Sequence, residues 1–128
     1  MNERNTELQA IRDAVTLYTE GVHTGNIDML KKAFHPRAMM YGASSQNVTM
    51  VEIQGLYDYI AANEPPTKTG EAHQCFISSI QYAGNAAWVE VIEESLYNND
   101  YTNYLQLLKI EGKWVIVCKV YNATTTKK

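Results

Sequence analysis

Residues 86–122 read AAWVEVIEESLYNNDYTNYLQLLKIEGKWVIVCKVYN, and the period of this stretch decides the fold. Trp88 and Ile92 oppose Val89 and Val91, and Trp114, Ile116, Cys118 and Val120 oppose Val115, Val117, Lys119 and Tyr121. Alternation at every second residue is the strand period. Asn98-Asn99-Asp100 and Glu111-Gly112-Lys113 are short enough to close antiparallel hairpins. Strands are therefore expected at 86–97, 101–110 and 113–122, with Gly84-Asn85 joining them to a fourth at 72–82. A sheet with one wet face would alternate apolar with polar residues. Both faces are largely apolar here, so this sheet needs cover on both sides.

Upstream the period is helical. Leu8, Ile11, Val15, Tyr18 and Val22 recur at spacings of 3, 4, 3 and 4, which places them on one stripe of a long helix. Thr24-Gly25-Asn26 breaks it. Asn26 caps a second, short helix whose apolar face is Ile27, Leu30 and Phe34, and His35-Pro36 ends that helix because the residue before proline leaves the α region. Residues 38–41 form a short strand, 42–47 a turn cluster. Thr49-x-x-Glu52 could cap a helix, but 48–51 reads better as a strand hairpinned to 38–41. A third helix runs from Ile53 to Asn63 on Ile53, Leu56, Tyr57 and Ile60, and Pro65-Pro66 stops it. Helices first and a four-stranded meander after them make an α+β order.

The 128 residues fit a single domain over 1–128, with its core at about 8–122 and a frayed tail at 124–128. Eleven basic against fourteen acidic residues give a net charge of −3 and a pI near 5.6. With no basic run, a nucleic-acid or anionic-membrane partner is not expected. No apolar stretch approaches the ~20 residues of a membrane span, and Met1 to Asn5 is polar, without the apolar core of a leader; the expected location is cytoplasmic. Cys75 and Cys118 lack metal-binding or redox spacing and read as reduced, buried thiols. No nucleotide, phosphate or zinc motif is present, so no cofactor and no metal are expected. The chain has nine Tyr and two Phe. Aromatic bodies with polar tips suit a pocket or an interface.

The order of these elements, with Tyr18-Thr19-Glu20-Gly21, Ala33-Phe34-His35-Pro36-Arg37-Ala38 and the run from Tyr104 through Gly112-Lys113-Trp114 to Tyr121, resembles the nuclear transport factor 2-like superfamily, in its lumazine-binding branch close to the SnoaL-like cyclases. The likeness covers about 8–121. It implies a curved sheet around the long helix, a cone-shaped cavity between them, and a homodimer through the outer sheet face. It does not imply one activity, since this fold hosts isomerases, dehydratases, cyclases and binding subunits.

The ketosteroid isomerase pattern within that superfamily needs a carboxylate base and oxyanion donors. By that resemblance Tyr18 falls at the oxyanion tyrosine, seven residues before Gly25, and Asn103 or Tyr104 falls at the second donor. The base position falls at Gly42, which cannot take a proton. In the lumazine-binding branch an Asp usually stands at Asn103. Among the remaining residues His73 and Glu90 are the candidate bases, with His35 and His23 weaker ones. Side-chain alternation puts Glu90 and Glu94 on one face and Glu93 on the other, with Lys109 and Lys119 on neighbouring strands as partners. The expected ligand-binding residues are Tyr18, Tyr41, Tyr59, His73, Tyr104 and Lys119. The missing base favours a domain that binds a small planar or aromatic molecule. An enzyme acting on a carbonyl compound and an interaction subunit with a filled cone are the alternatives. A cavity with a carboxylate or His beside Tyr18 would favour the enzyme; a cavity without a base, binding.

Overall fold

A computed structural model describes residues 2–126. Its elements are α1 (Glu3–Thr24), α2 (Ile27–Ala33), β1 (Phe34–Ala43), β2 (Val48–Glu52), α3 (Gln54–Ala62), α4 (Pro66–Thr69), β3 (Gln74–Ala83), β4 (Ala86–Leu96), β5 (Asn99–Ile110) and β6 (Lys113–Thr125). The α+β class and the helix-then-meander order hold. Ile11, Val15, Tyr18 and Val22 are buried along α1, whereas Leu8, one turn from the free end, is only half-buried. Gly25 closes α1 at φ 71, a left-handed cap that a side chain would strain. The Asn26 side chain caps α2 by accepting from the Met29 amide at 3.1 Å.

Three boundaries differ from expectation. Phe34 opens β1 instead of closing α2, because its extended backbone joins the sheet opposite Ile116. Pro66 sits at the first position of a one-turn helix, where a missing N–H costs nothing. Thr124 and Thr125 are not a frayed end but pair with Asp100 and Asn99; Lys127 and Lys128 lie outside the described residues.

The sheet has six strands in the order β2-β1-β6-β5-β4-β3. The β1–β2 hairpin expected from the sequence extends the meander through parallel pairing of β1 with β6. Period-two reading finds strands but not their partners, so this join is invisible to it. On the inner face, Ala87, Val89 and Val91 of β4, Leu105 and Leu107 of β5, and Trp114 and Ile116 of β6 are buried, and α1 packs across β6 and β3. Each large aliphatic side chain removed from water here contributes about 1.5–3 kcal/mol.

A bulge then changes the phase of β6. Leu107 pairs with Ile116 but Gln106 pairs with Cys118, so Val117 is an extra residue. One extra residue moves every later side chain to the opposite face. Trp114 and Ile116 point inward before it; Lys119 and Tyr121 point inward after it, and Val120, 39% exposed, is left outside. The sequence alternation, which put Trp114 and Val120 on one face, is thus corrected by a single residue.

Val15 is fully buried on the helix face that meets the sheet. A Val15→Asp change sets an unpaired carboxylate in that core and is expected to cost about 3–5 kcal/mol, measured by urea denaturation. An unchanged midpoint would mean α1 is not core.

Candidate active site

The inner face closes over a cavity of about 330 Å³. Tyr18 and Val22 of α1, Leu56, Tyr59 and Ile60 of α3, Met40 and Gly42 of β1, Tyr97 of the β4–β5 turn, and Tyr101, Lys119 and Tyr121 of the sheet line it, with Glu93 also on the wall. Gly42 is where the resemblance placed a base. A β-carbon there would collide with the Tyr121 ring, so the glycine makes room for an aromatic wall.

At one end of the wall a polar network replaces the apolar core. The inward phase of β4 runs Ala87, Val89, Val91 and then Glu93, which is 0% exposed. Tyr18 Oη donates to Glu93 Oε2 at 2.6 Å and Asn103 Nδ2 donates to the same oxygen at 2.9 Å. His73 Nε2 meets Oε1 at 2.9 Å. An ionised carboxylate only accepts, so the proton of this contact sits on Nε2. His73 Nδ1 shares a second hydrogen bond with His23 Nδ1, 2.9 Å away. Cys75 Sγ lies 3.6 Å from Oε1 and 3.3 Å from His73 Nε2. Burial works to raise the Glu93 pKa, but the hydrogen bonds from His73 and Tyr18 and the charge of Lys119 outweigh it and hold it below the usual carboxylate value. Burial and the neighbouring Glu93 carboxylate push the Tyr18 phenol far up, keeping it a donor, and push the Cys75 thiol up, keeping it neutral.

Lys119, 3% exposed, donates from Nζ to Asn103 Oδ1 at 2.9 Å and lies 4.2 Å from the centroid of the Tyr121 ring. Asn103, fully buried, thus stands between cation and carboxylate. Burial lowers the Lys119 pKa, against the opposing pull of Glu93, to about 8. Tyr97, which also faces the cavity, is raised to about 12 by burial and by neighbouring Tyr59 and Glu93, and its hydroxyl has no hydrogen-bond partner among the described residues.

Of the residues singled out from sequence, Tyr18, Tyr59 and Lys119 line the cavity. His73 reaches it only through Glu93. Tyr41, Tyr104 and Glu90 do not reach it. Tyr41 alternates outward between Met40 and Gly42, which line the cavity, and pairs with Val120. Tyr104 stacks on Trp88 at 5.8 Å on the outer face. Glu90 pairs with Tyr104 and accepts from Ser78 Oγ at 2.6 Å. His35 stays local, accepting from the Arg37 amide at 3.0 Å, and Lys109 pairs with Glu7 at 2.6 Å. The acid that matters is Glu93, and its signal was present: it shares the phase of Val89 and Val91. Tyr121 carried no such signal, because the Val117 bulge sets its direction.

Residues 6–122 match the family model described as "Putative lumazine-binding", and the chain belongs to that family, within the nuclear transport factor 2-like superfamily. A chain from Shewanella baltica OS155, an NTF2-like protein of unknown function, superposes with a TM-score of 0.86 at 28% identity, covering 96% of this chain and 98% of that one. Another of the same description from Methylobacillus flagellatus KT gives 0.84 at 27% identity over 92% of both. Aldolase FrzH from Cladobotryum sp is 27% identical over 120 residues, 93% of each chain. No described helix is long and apolar enough to cross a membrane.

The Lys119 shift has a signed consequence. Its folded value, about 8, lies below the ordinary 10.5, so between them the unfolded chain holds more protons and stability rises with pH. Cys75 above about pH 9 and the raised tyrosines above pH 10 act the opposite way, and they cancel in a comparison of two proteins that share them. Between pH 8 and 10 the wild type is expected to gain about 2 kcal/mol relative to Lys119→Met. Urea denaturation at pH 7, 8, 9 and 10 measures it; a pH-independent difference would mean Lys119 titrates normally.

Proposed function

We propose that this protein is an enzyme of aldol type, making or breaking a carbon–carbon bond next to the carbonyl of a small, mostly apolar compound held in the cone. The observation that carries the reading is Lys119: a desolvated amine on an apolar cavity wall, hydrogen-bonded to a neutral amide and titrating near 8. Desolvation is how enzymes make a lysine nucleophilic. The neutral amine adds to the carbonyl carbon, and the resulting carbinolamine takes up a proton from solvent and loses water to give an iminium. That cation acidifies the neighbouring carbon, and Glu93, ionised and on the same wall, accepts its proton. Tyrosines around the cavity orient the substrate. The likeness to Aldolase FrzH over 93% of both chains supports the same chemistry.

A second reading, ligand binding without turnover, has one observation in its favour. Glu93 already accepts from Tyr18, Asn103 and His73, which leaves it little capacity for a substrate proton.

Incubation with sodium cyanoborohydride and a panel of small aromatic and aliphatic aldehydes and ketones separates the two. The expected result is a reduced secondary amine mapped to Lys119 by peptide mass spectrometry, forming faster as pH rises toward 8 and absent in Lys119→Met. Thermal stabilisation by panel members with no adduct at Lys119 would leave the binding reading and overturn the enzyme.

We also infer that the working unit is a homodimer through the outer sheet face. Phe76, Leu108 and Val120 are 39–47% exposed there, beside the Trp88–Tyr104 stack. Light scattering at micromolar concentration is expected to give twice the 14.5 kDa chain mass; a monomer mass would remove this inference without touching the cavity.

A further inference from the structure

The network around Glu93 holds a second arrangement, two of whose members, His73 and Cys75, the Lys119 chemistry does not use. His73 Nε2, Cys75 Sγ and Glu93 Oε1 converge on one point from the start of β3 and from β4, where Cys75 pairs with Glu93 across the strands. Their separations are 2.9 Å for nitrogen to oxygen, 3.3 Å for nitrogen to sulfur and 3.6 Å for sulfur to oxygen. Zinc bonds of about 2.0–2.3 Å at tetrahedral angles set such atoms roughly 3.3–3.5 Å apart. The triangle already has nearly that size.

The far atoms of the same groups supply an independent observation. A metal-bound imidazole gives its other nitrogen to a hydrogen-bond partner, and a metal-bound carboxylate has its other oxygen held. His73 Nδ1 is 2.9 Å from His23 Nδ1, and the two rings stack at 5.1 Å. Glu93 Oε2 is held by Tyr18 and Asn103. His73 and Glu93 are thus fixed from behind, leaving their near atoms for the point that Cys75 Sγ shares. Glu93 Oε1 accepts from the Cys75 thiol at 3.6 Å and meets His73 Nε2 at 2.9 Å, so both neighbours already direct their near atoms at the shared point.

We propose that His73, Cys75 and Glu93 form a binding site for a divalent cation of the zinc class, with a fourth position left to water or a bound molecule. Imidazole, thiolate and carboxylate are a donor set that suits zinc and cobalt and disfavours magnesium and calcium, which take oxygen ligands. Binding releases the Cys75 thiol proton to solvent. The His73 proton moves from Nε2 to Nδ1, and His23 Nδ1 becomes its acceptor, any proton on that atom passing through solvent to His23 Nε2. Thiolate and carboxylate together balance the two charges of the cation. The site shares Glu93 with the Lys119 reading but does not rest on it, and cobalt binding is read without any adduct at Lys119.

The probe is Co²⁺ alone, added to chelator-treated full-length protein. The expected spectrum has the intense visible bands of four-coordinate cobalt and a near-ultraviolet thiolate-to-cobalt charge-transfer band, both bleached by equimolar Zn²⁺. Cys75→Ser is expected to lose the charge-transfer band while Cys118→Ser keeps it. His73→Gln is expected to weaken cobalt binding by at least about tenfold. Melting curves without metal check that the variants fold; should His73→Gln fail to, Cys75→Ser decides alone. Absence of the bands in the wild type, or a charge-transfer band that survives Cys75→Ser, overturns the site.

Discussion

A carboxylate with no solvent contact must be given donors by the protein, and the inner face of this sheet is organised around that demand. Burying an ion without partners costs several kcal/mol, and Glu93 is fully buried. Its partners come from α1, the start of β3 and β5: Tyr18, His73 and Asn103. These elements are otherwise joined by apolar packing, which is tolerant of small shifts. Hydrogen bonds of 2.6–2.9 Å are not, and lose strength steeply when bent or stretched. The network therefore fixes where α1 lies on the sheet to within a fraction of an ångström, and with it the depth of the cavity.

Bulges put the polar groups where the network needs them. Between Glu93 and Leu96 the β4 strand carries an extra residue, and Ser95 takes φ 59. That break ends the regular pairing just past Glu93 and brings Leu96 and Tyr97 round to the cavity. The Val117 bulge does the same for Lys119 and Tyr121. Extra residues in strands bend a sheet and re-aim side chains. Of the four register shifts among the described strands, these two lie beside the cavity and re-aim the groups able to do chemistry.

What the sequence made legible divides along the same line. Helix α1, the α3 stripe of Ile53, Leu56, Tyr57 and Ile60, and the four meander strands follow from local periodicity, which needs no knowledge of partners. Tyr18 followed too, because a tyrosine on a buried stripe must aim its hydroxyl at something polar. Lys119 was named, but its direction depends on a bulge that leaves no mark in a run of Val, Ile and Val. Tyr41 and Tyr104 failed for the converse reason: regular alternation does hold around them, and it points them outward. The grouping of His73, Cys75 and Glu93 could not be seen from spacing, since hairpin register brings residues 18 apart in sequence onto one point. Glu93 itself was legible, since it shares the phase of Val89 and Val91, but in a sheet apolar on both faces alternation does not say which face lines the cavity.

Asn103 explains why the cation and the carboxylate keep separate roles. Its amide presents a donor to Glu93 and an acceptor to Lys119, which is what opposite charges require of a neutral spacer. An aspartate at this position, usual in the branch this chain resembles, would accept from Lys119 as an ion and hold its proton tightly. It would also face Glu93 across a hydrogen-bond distance, where two carboxylates cannot both stay ionised. The amide avoids both outcomes: Glu93 keeps its charge, and Lys119 keeps a neighbour too weakly polar to offset its burial. Burial is what lowers the Lys119 pKa; the neutral amide set between the two charged groups leaves that effect standing, and the reactivity proposed for Lys119 depends on both.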